Sequence, residues 1–245
     1  IDTRALTQRL RTDGVVHGQI VHAADSDAAR ARAMDGTVET DLVAEVSIEA
    51  PRFLTAASGQ SGPTVAVLDC GVKNNILRAL LSRGAGVLQV PWDEDPEACG
   101  RPIDGVVVSN GPGDPKDAGR AVAVVRRLFE RGVPTFGICY GNQVLALAAG
   151  ADTYKLKWGH RGQNQPCVDL DTGRCYITSQ NHGYSVDEAS LPSGWEPWFR
   201  NANDQSNEGI RRRGKPFSAV QFHPEAHPGP EDMSFLIDRF LASLG

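Results

Sequence analysis

Long apolar runs are missing from this chain. No stretch of about 18 uninterrupted apolar residues occurs in its 245 residues, so neither a membrane-spanning helix nor a membrane partner is expected. The first residues, IDTRALTQRLR, are polar and helix-favouring and lack the apolar centre of a signal peptide. Positive charge is scattered: the net charge is −5 and the longest basic run is Arg211-Arg212-Arg213, expected as the solvated end of a hairpin. Nucleic acid is therefore not an expected partner. Cysteine is sparse too. Cys70, Cys99, Cys139, Cys167 and Cys175 are irregularly spaced, odd in number and contain no C-x-x-C pair. That excludes a zinc ribbon and a disulfide scaffold, suggests a reducing cytoplasm, and gives no reason to expect a metal. There is also no G-x-x-x-x-G-K-[ST] loop, so the chain is not expected to cradle ATP phosphates.

What is present fits a soluble globular protein, 40% hydrophobic and 22% charged. Residues 1–62 look like part of another unit. Asp2 and Thr3 can cap a short helix carrying Leu6 and Leu10, and Gly14 ends it. Val15–Val21 is expected as a strand and Asp25–Met34 as a helix, followed by a polar run and the alternating Leu42–Ile48. The small, glycine-rich Ala56–Pro63 reads as a linker. So few large apolar residues would hardly hold 60 residues together alone, and the first residue is not Met, so the protein is expected to continue upstream.

From Thr64 the pattern alternates. Strands are expected at Val65–Leu68, Val87–Val90, Asp104–Ser109 and Val133–Phe136, with helices at Asn74–Ser82, Ala118–Arg131 and Asn142–Ala149. This is an α/β fold with a mostly parallel sheet flanked by helices, whose ligands bind beyond the carboxyl ends of the strands. After Gly150, Thr153–Trp158, Cys175–Thr178, Trp195–Arg200, Gly209–Arg213 and Phe217–Phe222 read as strands, and Glu231–Leu244 as a closing helix. The expected units are thus 1–62 and 63–245.

One pentapeptide carries chemistry. Gly137-Ile138-Cys139-Tyr140-Gly141 joins a strand to a helix and is the thiol form of the nucleophile elbow. Its glycines spare a clashing Cβ, and the helix amino terminus favours thiolate. A buried structural cysteine is the plain alternative. At another strand end stands His223-Pro224-Glu225, with Glu225 able to turn back towards the imidazole. Cys139, His223 and Glu225 together supply a nucleophile, a base and a carboxylate that orients the base.

These two motifs, with the glycine-rich loop Ser109-Asn110-Gly111-Pro112-Gly113-Asp114-Pro115, resemble the class I (triad) glutamine amidotransferases over residues 64–245. Within that superfamily, Lys157–Pro166, Ser179–Tyr184, Asp69–Asn75 and Ile1–Thr7 are similar to the small subunits of carbamoyl-phosphate synthases, the last being the tail of their amino-terminal domain. Most of that domain lies outside this sequence, including a serine used at the glutamine pocket. The resemblance implies that Cys139 attacks the side-chain amide of L-glutamine, giving a glutamyl thioester and ammonia, with His223 as base and Glu225 orienting it. Backbone N–H groups of Gly111 and Tyr140 would hold the oxyanion. Gly113, Gln143, Asn181, Gly183 and Tyr184 would hold the amino-acid end. Tyr140 and Gln143 could instead pack or cap the helix, and Asn181 could form a turn. His160 and His182 read as structural. Asn142 stands where many relatives carry His, and is expected to leave the chemistry unchanged.

The resemblance further implies a partner, the large synthetase subunit. That subunit would carry ATP and Mg²⁺ and receive ammonia by an enclosed route, for carbamoyl phosphate in arginine and pyrimidine synthesis; no cofactor is expected on this chain. A γ-glutamyl hydrolase or peptidase would not need Asn181–Tyr184. A structural subunit without catalysis would not need Cys139, His223 and Glu225.

Overall fold

In a computed structural model, residues 2–16, 41–56 and 62–244 are described, with positions 18, 20, 22, 24, 27, 28 and 31 between them. Asp2 caps α1 (Thr3–Asp13), its side chain accepting the Ala5 N–H at 2.9 Å, and Gly14 closes it. The expected strand Val15–Val21 lies partly outside the described residues, and its described positions join no strand. The expected helix Asp25–Met34 and the linker Ala56–Pro63 also fall largely outside them. Leu42–Ile48, despite its alternation, coils into a short helix α2 (Leu42–Val46) that buries Val43 alone. Alternation over so few residues does not separate strand from helix.

The remaining elements form one ten-stranded sheet in the order β1-β3-β2-β4-β5-β10-β9-β8-β6-β7. Its parallel core is β3 (Gly86–Pro91), β2 (Thr64–Asp69), β4 (Gly105–Val108), β5 (Thr135–Ile138) and β10 (Phe217–Val220). β1 (Arg52–Leu54) pairs antiparallel at one edge. On the other side, β9 (Asn207–Arg212), β8 (Trp195–Asn201), β6 (Asp152–Asp169) and β7 (Cys175–Asp187) continue it antiparallel, so the whole sheet is mixed.

Both faces of the parallel core are covered, which is why its strands read as continuous apolar runs. Val65, Val67, Val107, Phe136 and Ile138 meet Ile76, Leu77 and Leu80 of α3 (Asn74–Ser82) and Leu236, Ile237 and Phe240 of α6 (Phe235–Ala242). Ala66, Leu68, Val106 and Val108 meet Ala121, Val124, Val125 and Leu128 of α4 (Gly119–Arg131) and Val144 and Leu145 of α5 (Tyr140–Ala149).

Several boundaries differ from expectation: β5 runs over Thr135–Ile138 rather than Val133–Phe136, and β10 ends at Val220 rather than Phe222. β6 and β7 run far beyond Thr153–Trp158 and Cys175–Thr178, taking in Lys157–Pro166 and Ser179–Tyr184 as one long hairpin. Its exposed, polar stretches conceal the pairing from an apolar pattern. The last helix begins at Phe235, after turns, rather than at Glu231. Arg211-Arg212-Arg213 does lie where β9 turns into β10, but Arg211 is only 21% exposed and pairs with Asp171 and Glu196.

Candidate active site

β5 and β10 are parallel neighbours and end level, Ile138 paired with Val220. Residues just beyond those ends therefore stand side by side. Cys139 follows β5 directly, and its N–H donates to the Val220 carbonyl at 2.8 Å. It is the residue at the amino cap of α5, which begins at Tyr140 rather than at Asn142. Its backbone is left-handed (φ 57°), a strained conformation for a side-chain-bearing residue. The flanking glycines allow it by close approach: a Cβ on Gly141 would lie 2.1 Å from the Val108 carbonyl oxygen, and one on Gly137 2.6 Å from the Gly141 carbonyl oxygen.

His223, three residues past β10, is buried and lines the same cleft as Cys139, whose sulfur acts on its imidazole. Its Nδ1 is 2.7 Å from Glu225 Oε1. Burial alone would lower the imidazole's pKa, but the Cys139 sulfur and the Glu225 carboxylate outweigh it and push the value up to about 10. For Glu225, burial acts upward, and His223 and Lys73 overcome it, holding the carboxyl below its ordinary value. Lys73 Nζ lies 3.0 Å from Glu225 Oε1 and donates to the Ala226 carbonyl at 3.1 Å. Asn75 Nδ2 donates to the Glu225 carbonyl.

A cleft of about 970 Å³ opens over these groups. Cys139, His223, Gly111, Gly113, Tyr140, Gln143, Asn181, Gly183 and Tyr184 all line it; Glu225 stands behind His223, away from the cleft wall. All ten residues singled out in the sequence thus converge on one place. The Gly111 loop reaches it by pressing against Cys70, whose carbonyl oxygen a Cβ on Gly111 would meet at 2.4 Å. Asn110 ties this loop to the turn after β2, its Oδ1 accepting Lys73 N–H and its Nδ2 donating to the Gly71 carbonyl, both at 2.9 Å. The opposite wall is β7, joined to the segment after β10 by His223 N–H donating to the Ser179 carbonyl at 2.9 Å. Asp114, Asp117, Lys155 and Arg161 also line the cleft, so it carries charge of both signs.

Sequence reasoning missed a polar layer beneath the elbow. Gln221 Oε1 accepts from Asn142 Nδ2 at 3.2 Å and from Gln143 Nε2 at 3.1 Å, while Gln221 Nε2 points at Cys139 Sγ, 3.8 Å away. Gln143 Nε2 also donates to the Tyr184 carbonyl at 2.8 Å. Asn142 is therefore part of the packing under Cys139, not a bystander. A glutamine inside the apolar strand run 217–222 was the available signal. Lys73 belongs to the Asp69–Asn75 motif, but nothing local in the sequence points it at Glu225.

A cysteine at a strained elbow, a buried His–Glu pair and a glycine-rich loop facing one cleft define the site of a class I amidotransferase. The glutamine amidotransferase class-I family profile matches residues 66–243, and the chain belongs to that family. Among individual relatives, the chain is 49% identical over its whole length to the carbamoyl phosphate synthase arginine-specific small chain of Aspergillus fumigatus, covering 54% of that protein. It is 46% identical, again over its whole length, to the chain of the same name from Yarrowia lipolytica, covering 56% of it. It is 47% identical over 98% of its length to the multifunctional protein pyr1-3 of Dictyostelium discoideum, covering 11% of that protein. The chain thus spans about half the length of the small chains it matches. In fold it is similar to a crystal structure of a Thermoplasma acidophilum protein assigned to GMP synthase. The TM-score is 0.66 and the identity 22%, over 76% of this chain and 95% of the other. No helix among the described residues is long and apolar enough to cross a membrane.

Proposed function

We propose that this chain releases ammonia from the side-chain amide of L-glutamine and passes it to a large synthetase subunit that makes carbamoyl phosphate. The carrying observation is the cleft itself, which Cys139, His223, Gly111 and Tyr140 line together. Similarity to carbamoyl phosphate synthase small chains selects the partner.

In this reading the Cys139 sulfur, its proton taken by His223, attacks the amide carbonyl carbon. The oxygen that becomes negative is met by N–H groups of Gly111 and Tyr140; Tyr140 opens α5, so its N–H has no acceptor within the helix. His223 then protonates the departing nitrogen, which leaves as ammonia, and a thioester remains on Cys139. The same imidazole next takes a proton from water, the hydroxide attacks the thioester, and glutamate and the free thiol are restored. Glu225 and Lys73 keep the imidazole aimed. A cleft with charge of both signs suits the zwitterionic end of glutamine, held by Gly113, Gln143, Asn181, Gly183 and Tyr184. Phosphoryl transfer needs Mg²⁺ ligands and a phosphate cradle, which this reading assigns to the partner. Five free cysteines, three of them buried, suit a reducing compartment such as the cytoplasm.

The test uses the full-length protein with its large subunit. Cys139→Ser should abolish carbamoyl phosphate formation from glutamine and spare it with added ammonia. A chloroketone analogue of glutamine should label Cys139 far faster than the other four cysteines. A Cys139→Ser complex that used glutamine as well as wild type would end the proposal.

A further inference from the structure

We infer that His160, His182 and Glu208 form a binding site for a divalent transition cation of the zinc class, built into the wall of the catalytic cleft. The three residues lie far apart in sequence, on β6, β7 and β9. The hairpin register sets His160 opposite His182, and the Glu208 carboxylate on β9 reaches both rings. Their side chains are 12%, 2% and 0% exposed. His160 Nδ1 lies 3.2 Å from His182 Nε2 and 3.2 Å from Glu208 Oε1, and His182 Nε2 lies 4.0 Å from Glu208 Oε1.

The hydrogen-bond partners of the two rings make this more than a polar cluster. His182 Nδ1 faces the Tyr184 carbonyl at 2.8 Å, which can only accept, so Nδ1 carries the proton and Nε2 a lone pair. His160 Nε2 faces the Asp204 carboxylate at 2.8 Å, which likewise leaves a lone pair on Nδ1. Gln180 Oε1 stands 3.0 Å from His182 Nε2, and Glu208 Oε2 is buried without a hydrogen bond. Lone pairs from two imidazoles, a carboxylate and an amide oxygen therefore converge. Asn201 Nδ2 donates to Glu208 Oε1 at 3.2 Å, and a positive centre between the members would satisfy the lone pairs that remain.

The geometry suits zinc. Donors about 2.0–2.2 Å from a tetrahedral Zn²⁺ lie roughly 3.3 Å from one another, so two of the three separations are already right and the third must close by about 0.7 Å. Two imidazoles with a carboxylate select zinc-like ions over calcium or magnesium, which prefer oxygen alone. Asp204 and the Tyr184 carbonyl supply the outer contacts that orient metal-bound histidines. His182 sits between Asn181 and Gly183 on the cleft wall, so the bound ion would fix the strand that presents both. The ion takes no part in the proposed thioester chemistry.

A proton shared by His160 between Asp204 and Glu208 would answer the same convergence, and the experiment separates the two. The full-length protein carrying Cys139→Ser, which removes the sulfur ligand from the cleft, is stripped with a chelator. It is then titrated with Zn²⁺ against a chromophoric chelator and with Co²⁺ by visible absorption. One Zn²⁺ per chain is expected, with a four-coordinate Co²⁺ spectrum lacking a thiolate band. Glu208→Gln and His160→Gln should each weaken binding by roughly 100-fold or more, with near-UV circular dichroism confirming their folding. Should either variant unfold, the ring nitrogen NMR shifts of His160 and His182 on adding Zn²⁺ to the Cys139→Ser protein decide. Absence of stoichiometric binding, binding indifferent to both substitutions, or unmoved ring nitrogens would overturn the proposal in favour of a protonated His160.

Discussion

Lys73 is the partner of the buried carboxylate, and replacing it by methionine probes whether that contact matters to turnover. Glu225 has a fully buried side chain and offers the same oxygen, Oε1, to Lys73 at 3.0 Å and to His223 at 2.7 Å. At an effective dielectric of about 20, unit charges 3.0 Å apart attract by roughly 5–6 kcal/mol. Two effects reduce this. Lys73 is 33% exposed and loses hydration when paired, and Glu225 keeps His223 when Lys73 is gone. A net loss of about 1–2 kcal/mol remains, or roughly 10-fold in glutaminase kcat, with KM little changed. The informative assay is a cycle of Lys73→Met, Glu225→Gln and the double variant, each followed by glutamate release. With the carboxylate removed, Lys73 has no charge to hold, so its loss should cost far less in the Glu225→Gln background. Equal cost in both backgrounds would show that Lys73 acts on something other than the His223–Glu225 pair.

Three further outcomes follow from the geometry and electrostatics. Gly141→Ala should destabilise the protein by about 1–3 kcal/mol or more and slow labelling of Cys139, because its Cβ would strike the Val108 carbonyl at 2.1 Å. Gly119→Ala, which faces open space, should change urea unfolding by no more than about 0.5 kcal/mol. His223 has a folded pKa raised from 6.5 to about 10, so its protonated form contributes stability fully below pH 6.5, and that contribution fades as pH rises through about 10. Burial pulls that pKa down and the Cys139 sulfur is the first group to pull it back up. The unfolding midpoint of Cys139→Ser should therefore fall less steeply than wild type across this range, and a steeper fall would contradict the pairing.

Much of the architecture was legible because its signals are local. The runs at Val65–Leu68 and Asp104–Ser109 are apolar on both faces only because helices cover both sides of those strands. The elbow and His223-Pro224-Glu225 announce themselves through glycine spacing and residue type, and parallel strands that end together do the rest. What escaped was contact between distant positions. Lys73 meets Glu225 across 152 positions, and Asn142 meets Gln221 across 79, through sheet order alone. The β6–β7 hairpin extends past its expected ends because Lys157–Gln165 is polar and half-exposed, so backbone pairing leaves no apolar trace there.

β10 arrives last in the chain but lies in the middle of the sheet, between β5 and β9. A ribosome that has translated only as far as residue 216 has therefore produced Cys139 without His223, Glu225 or the strand that receives the Cys139 N–H. At that stage β5 is an open edge and the Cys139 N–H lacks the Val220 carbonyl that receives it. Cys139, His223 and Glu225 come together only when the β10 segment inserts between β5 and β9, a long-range closure of the kind that makes parallel sheets slow to complete. A separately made peptide spanning β10 and α6 is thus the natural complement of a chain truncated at residue 216, and recovery of Cys139 reactivity on mixing would time that insertion directly.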